Sequence, residues 1–189
     1  MGCNGAGESG GLTMATRSRP PAEPKRSATG AMKLEDWLKS YITAAFARVT
    51  LEDGVDIHTA KVRDSYGFDQ DESQRAVSCQ RGDWRFVDPQ LLRDRAWVLT
   101  FLDTKGFRFY LPVIMIDIID DERKSDLSET LFYKFSVTHH GRFMDQRYDD
   151  VFNRSQRAAI IRFLKYLCYN RNWQLTGPAG KLLSRLTQR

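Results

Sequence analysis

Cysteine is scarce. The chain holds Cys3, Cys79 and Cys168 among its 189 residues. Three cysteines cannot supply the disulfide framework of a small secreted scaffold, so the fold must rest on a packed core. Long apolar runs are lacking too. The richest, Leu111 to Ile119, already contains Asp117 and is far shorter than the roughly 20 apolar residues of a membrane-crossing helix. No apolar h-region stands near the start, so a secretory signal is not expected. The sequence has no G-x-S-x-G, no Walker loop, no H-E-x-x-H, no C-x-x-C and no G-x-G-x-x-G. The chemistries that those patterns serve therefore have no footing here.

What remains is the composition of a folded domain. Hydrophobic residues make up 41% and aromatics 12% of the chain, enough to bury a core and to exclude disorder throughout. The length suits one domain. Residues 1–31 differ from the rest: they hold six glycines and three prolines, with Met1, Leu12 and Met14 as the only large apolar side chains. Such a stretch does not offset the entropy lost on ordering its backbone, so it reads as a disordered tail or upstream extension. Gly2 and Cys3 invite comparison with acylated N-termini, but Ala6 stands where the myristoylation pattern needs Ser or Thr. Residues 32–189 then form a single helical domain.

Charge is mild in total and uneven along the chain. The net is +5, from 29 bases and 24 acids. The segment Asp117–Glu129 carries six acids and two bases, whereas residues 154–189 carry eight bases and no acid. Either the two blocks face each other and neutralise, or the basic end is a solvated or binding face.

The apolar spacing is helical almost throughout. Leu34, Trp37, Leu38, Tyr41, Ile42, Ala45, Phe46 and Val49 follow the i, i+3, i+4, i+7 pattern of an amphipathic helix, expected to end near Glu52-Asp53-Gly54. Asp56 is placed to cap a second helix, and Asp88-Pro89 to open another. Asp103 can cap a helix carrying Phe107, Tyr110, Leu111, Ile114, Met115, Ile118 and Ile119, with a kink or restart expected at Pro112. Residues 126–137 read as helix, with a strand over Phe132–Val137 as the competing reading. The segment 138–150 reads as a polar loop. Asn153 and Gln156 have capping-box spacing before a helix with Ile160, Phe163, Leu164 and Leu167, and a last helix is expected from Thr176-Gly177-Pro178. The fold class expected is therefore all-α, a single compact bundle of six or seven helices.

Candidates for chemistry are sparse. His139-His140 with Asp145, Asp149 and Asp150 has ligand types that suit divalent metals, but adjacent histidines rarely converge on one centre, and no metal or other cofactor is expected. His58 reads as a surface or core-edge residue. Cys79 lies near Arg75 and Arg81, which can lower a thiol's pKa, yet it has no neighbouring base in sequence. Cys168 falls on an apolar helix face. Asp69, Asp71 and Glu72 lack the glycine and distal glutamate of an EF-hand. On a helical wheel, Arg154, Arg157, Arg162 and Lys165 share one stripe, with Lys181, Arg185 and Arg189 on the next helix.

The densest segment runs Gly106-Phe107-Arg108-Phe109-Tyr110-Leu111-Pro112-Val113-Ile114-Met115. It resembles the G-F-R-F-Y-L-P-x-x-M signature of an uncharacterised bacterial family, a domain of unknown function. The likeness extends to Glu52-Asp53-Gly54-Val55, to Trp84 and to Ser155–Leu167, about residues 33–170 in all. It implies a small intracellular bacterial protein and brings no activity with it. Within the signature, Phe107, Tyr110, Leu111 and Ile114 read as core and Gly106 as a site of close packing. Arg108 is either exposed or paired with Asp103 or Asp117, and Arg108, Phe109 and Tyr110 form one candidate binding site. Arg154, Arg162 and Lys165 form the second.

Two functions compete. The first is a non-enzymatic, cytoplasmic module that binds another protein, of the immunity or adaptor type; nucleic acid is the less favoured partner and a membrane is not expected. The second is an enzyme whose site lies around Arg108 and Tyr110 or the His139-His140 loop.

Overall fold

Helix-forming periodicity carries through to the structure, a computed structural model that describes residues 32–65, 81–120, 125–136, 142–143, 146–169 and 173–187. The expectations for residues 1–31, for Asp69, Asp71, Glu72 and Cys79, and for His139-His140 lie outside these. The described helices are α1 (Leu34–Phe46), α2 (Ile57–Asp64), α3 (Pro89–Asp94), α4 (Thr104–Asp120), α5 (Ser125–Ser136), α6 (Tyr148–Val151), α7 (Arg154–Tyr169) and α8 (Trp173–Thr187). Two 3-10 turns, Trp84–Phe86 and Ala96–Phe101, flank α3. The fold is all-α.

Helix starts follow the local chemistry. The Asp56 carboxylate accepts from the backbone N–H groups of His58 and Thr59 and opens α2. Asp88 does the same for Gln90, with Pro89 in the first turn of α3. Asn153 and Gln156 complete a reciprocal capping box. Each side-chain oxygen accepts from the other's backbone N–H, both at 3.0 Å.

The centre of the molecule is α4. Twelve of its residues are buried, Phe109 and Val113 included. A helix apolar on all sides belongs in the interior, and α1, α3, α5, α6 and the Trp84–Phe86 turn all pack on it. It runs as one helix through Pro112, without a restart. Phe107 meets Phe135 of α5 edge-on at 5.6 Å between ring centroids.

Several boundaries differ from those expected. α1 ends at Phe46 rather than near Asp53, and the Trp84 indole N–H donates to the Phe46 carbonyl at 2.9 Å, satisfying a terminal acceptor of the helix. α8 begins at Trp173 and contains Pro178. Gly177 before it has no Cβ to clash with the proline ring, which is what usually stops a helix at that point. Residues 125–136 are helix, not strand. The segment expected to be loop holds a two-residue antiparallel pairing, Arg142 with Arg147 and Phe143 with Gln146, followed by α6. Tyr148, Val151 and Phe152 there are buried. Their i, i+3, i+4 spacing is short and is hidden in the sequence by Asp149 and Asp150.

Candidate functional site

The signature segment meets the 51–56 loop at closer range than any side chain would allow. A Cβ on Gly106 would stand 2.2 Å from the Val55 carbonyl oxygen, and one on Gly54 would stand 2.8 Å from the Gly106 nitrogen. The Asp103 carboxylate holds both strands of the junction, accepting from Val55 N–H at 3.0 Å and Gly106 N–H at 2.8 Å. Arg81 binds the same loop through the carbonyls of Glu52 and Gly54 and the carboxylate of Asp56. Glu52 adopts φ 53°, a left-handed conformation that non-glycine residues enter only when surrounding contacts hold it. Lys105 pairs with Glu52 at 3.2 Å and with Asp53. Those hydrogen bonds raise the lysine's pKa, and that from Lys105 lowers that of Asp53.

Of the three signature residues proposed for binding, one reaches a cavity. Phe109 and Tyr110 are buried, and the Tyr110 hydroxyl accepts from Ile57 N–H at 3.1 Å. Arg108 donates to Glu52 at 3.1 Å and to the Val151 carbonyl at 3.4 Å, rather than to Asp103 or Asp117. It lines a cavity of about 450 Å³ whose other walls include Arg48, Asp149, Asp150, Asn153 and Ser155. Arg108 and Tyr110 therefore do not converge on one cavity as a catalytic pair would. Asp117 is buried and held bidentately by Arg93.

The basic candidates lie elsewhere. The end of α1 and the turn after it (44–49) meet the cap and start of α7 (153–156) across that cavity, and Tyr41 meets Arg162, so the two helices run antiparallel. The Arg162 guanidinium sits 4.4 Å from the Tyr41 ring centroid, and Tyr41 packs on Trp37 at 5.6 Å. Trp37 is 38% exposed and Tyr169 88%. At ~100° per residue, Arg154, Arg162, Lys165 and Tyr169 share one narrow solvent-facing arc. Arg157 does not join it. It turns back to the Asp149 carboxylate at 3.1 Å and to the Phe152 carbonyl. Nor does the acidic segment cover the stripe through Asp117 and Asp120, which pair with Arg93 and Lys39. Tyr41, the aromatic partner of Arg162, and Trp37 behind it come from a helix more than a hundred residues earlier, so reading α7 alone could not find them.

One unusual group had no sequence signal. Lys134 of α5 is buried, its ammonium donating to the Leu102 carbonyl at 2.8 Å. Burial pulls its pKa down to about 8, against a smaller opposing pull from Asp103. Cys168 is half-buried, which pushes its thiol up. The described residues contain no group of three or more His, Cys, Asp or Glu side chains able to hold a metal ion. No described helix is long and apolar enough to cross a membrane.

No curated protein and no solved structure matches the chain. A family described as "Family of unknown function (DUF6714)" matches residues 34–174. That span runs from the first residue of α1 into the first turn of α8, three quarters of the sequence. The chain belongs to the DUF6714 family.

Proposed function

We propose that this chain is a non-enzymatic module that binds another protein, of the immunity or adaptor type, through the face shared by α1 and α7. The observation that carries the reading is the Trp37–Tyr41–Arg162 stack at the surface. Trp, Tyr and Arg are the residues over-represented in the energetic centres of protein interfaces, where a rigid ring and a weakly hydrated cation lose little on desolvation. Lys165, Arg154 and exposed Tyr169 extend the patch along α7. Neither Arg154 nor Lys165 is engaged by a carboxylate among the described residues, so the surface suits a partner whose contact patch carries acidic side chains. A nucleic-acid partner is less favoured. The two aromatic rings pack on each other rather than standing free for bases, and no nucleic-acid motif accompanies them. The likeness of the signature to a bacterial family supports a bacterial cytoplasmic setting.

The experiment compares capture from the source cell's extract by the wild-type chain and by a Trp37→Ala/Arg162→Glu variant, with nuclease treatment in parallel. The reading expects a stoichiometric protein that survives nuclease and is lost from the variant. Equal capture by both chains, or capture that nuclease abolishes, contradicts it.

A further inference from the structure

We propose that the cavity between α5 and α8 binds a small amphiphilic carboxylate, a molecule with a compact apolar body and one anionic end. The cavity measures about 270 Å³ and is walled by Phe132, Pro178 and Leu182. Leu182 is buried and continuous with the core, while Pro178 is exposed, so the apolar wall runs from the interior to the surface. Lys181 and Arg185, also lining it, are exposed and stand one helical turn apart on α8. Neither has a carboxylate partner among the described residues, and no acid occurs anywhere from residue 154 to 189. Two like charges four residues apart on a helix repel each other. An anion between them relieves that repulsion and gains two charge-assisted hydrogen bonds.

The apolar walls and the paired cations each narrow the ligand class. A bare inorganic anion leaves half-buried Phe132 and exposed Pro178 in contact with water. A neutral apolar molecule leaves the two cations without a counter-charge. A ligand with both parts satisfies the whole lining, and the volume, just below the range of drug-sized ligand sites, favours a short acyl chain or single ring. The site lies on α5 and α8, away from the Trp37–Tyr41–Arg162 stack, and does not depend on the protein-binding reading.

The test is a titration of the isotope-labelled full chain, followed by amide chemical shifts, with octanoate, octanol and acetate as probes. Octanoate should bind saturably and shift residues around Phe132 and Leu182, with affinity at least tenfold above that of octanol or acetate. The Lys181→Gln/Arg185→Gln variant changes two exposed side chains and should bring octanoate down to the level of octanol. Ser136 is exposed on the rim, so Ser136→Phe should block the cavity and abolish binding while the rest of the spectrum is kept. Absence of saturable octanoate binding would overturn the proposal. So would equal affinity for octanol, shifts centred elsewhere, or binding that persists in Ser136→Phe.

Discussion

At the scale of single residues, the sharpest constraint is the contact of Gly106 with the Val55 carbonyl. A glycine at the start of a helix, inside a dense aromatic segment, already points to close packing, but the 51–56 loop it touches lies about fifty residues away and has no trace in the local pattern. A methyl group there collides with backbone that Asp103 holds from both sides. Gly106→Ala should therefore lower stability by about 2–3 kcal/mol or more. Gly82→Ala meets nothing within 4 Å and should change it far less; urea midpoints of the two variants make the comparison. Lys134 is the opposite case, a buried charge that no spacing announces, because lysine on a helix is ordinarily solvated. Its pKa is about 8 when folded and 10.5 in the ordinary range. Between those values the unfolded chain binds more protons than the folded one, so this group makes stability rise with pH from about 8 towards 10.5. Below pH 8 it is protonated in both states and contributes no slope. Lys134→Met should remove that rise, seen in urea titrations at pH 7.5, 9 and 10; identical pH profiles for the two chains would contradict the assignment.

At the scale of elements, most starts were legible, that of α8 excepted, and ends were not. Asp56, Asp88, Asp103 and the Asn153–Gln156 box are local devices, each complete within a few residues, and each opens the helix expected of it. Asn153→Ala breaks one half of the box and should lower stability by about 0.5–2 kcal/mol, measured by thermal or urea unfolding. Ends depend on distant partners. α1 stops at Phe46, whose carbonyl accepts from distant Trp84 as well as from Val49 N–H, and the loop that follows is held by Arg81, Asp103 and Lys105. The early start of α8 turns on Gly177, whose missing side chain lets the helix continue into Pro178. The Phe132–Val137 ambiguity was resolved by tertiary burial: Leu131 and Phe135, one turn apart, both face the core.

At the scale of the whole molecule, the signature and the basic end separate in role. The signature builds the central helix, and its Arg108 lines the cavity beside the start of α7. The basic stripe stays on the outside, where α1 adds two aromatic rings. The class of fold was readable because helical periodicity needs no long-range information. The binding face was half readable: Arg154, Arg162 and Lys165 stand in the α7 pattern, but Trp37 and Tyr41 enter only when α1 and α7 pack. Residues 1–31 hold six glycines and three prolines, with Met1, Leu12 and Met14 as their only large apolar side chains, and so have little to bury; a chain beginning at Met32 should melt within a few degrees of the full-length chain in a thermal scan. A larger drop would assign residues 1–31 a part in the fold.

The protein-binding reading is tested most directly by placing a photo-activated cross-linking side chain at position 165, on the α7 stripe, and separately at position 90, exposed on α3, then irradiating each in the source cell. The account predicts a discrete, nuclease-resistant protein adduct from position 165, absent from position 90 and lost when Trp37→Ala is added. An adduct from position 90 alone, equal adducts from both, or an adduct from position 165 that nuclease removes would contradict it.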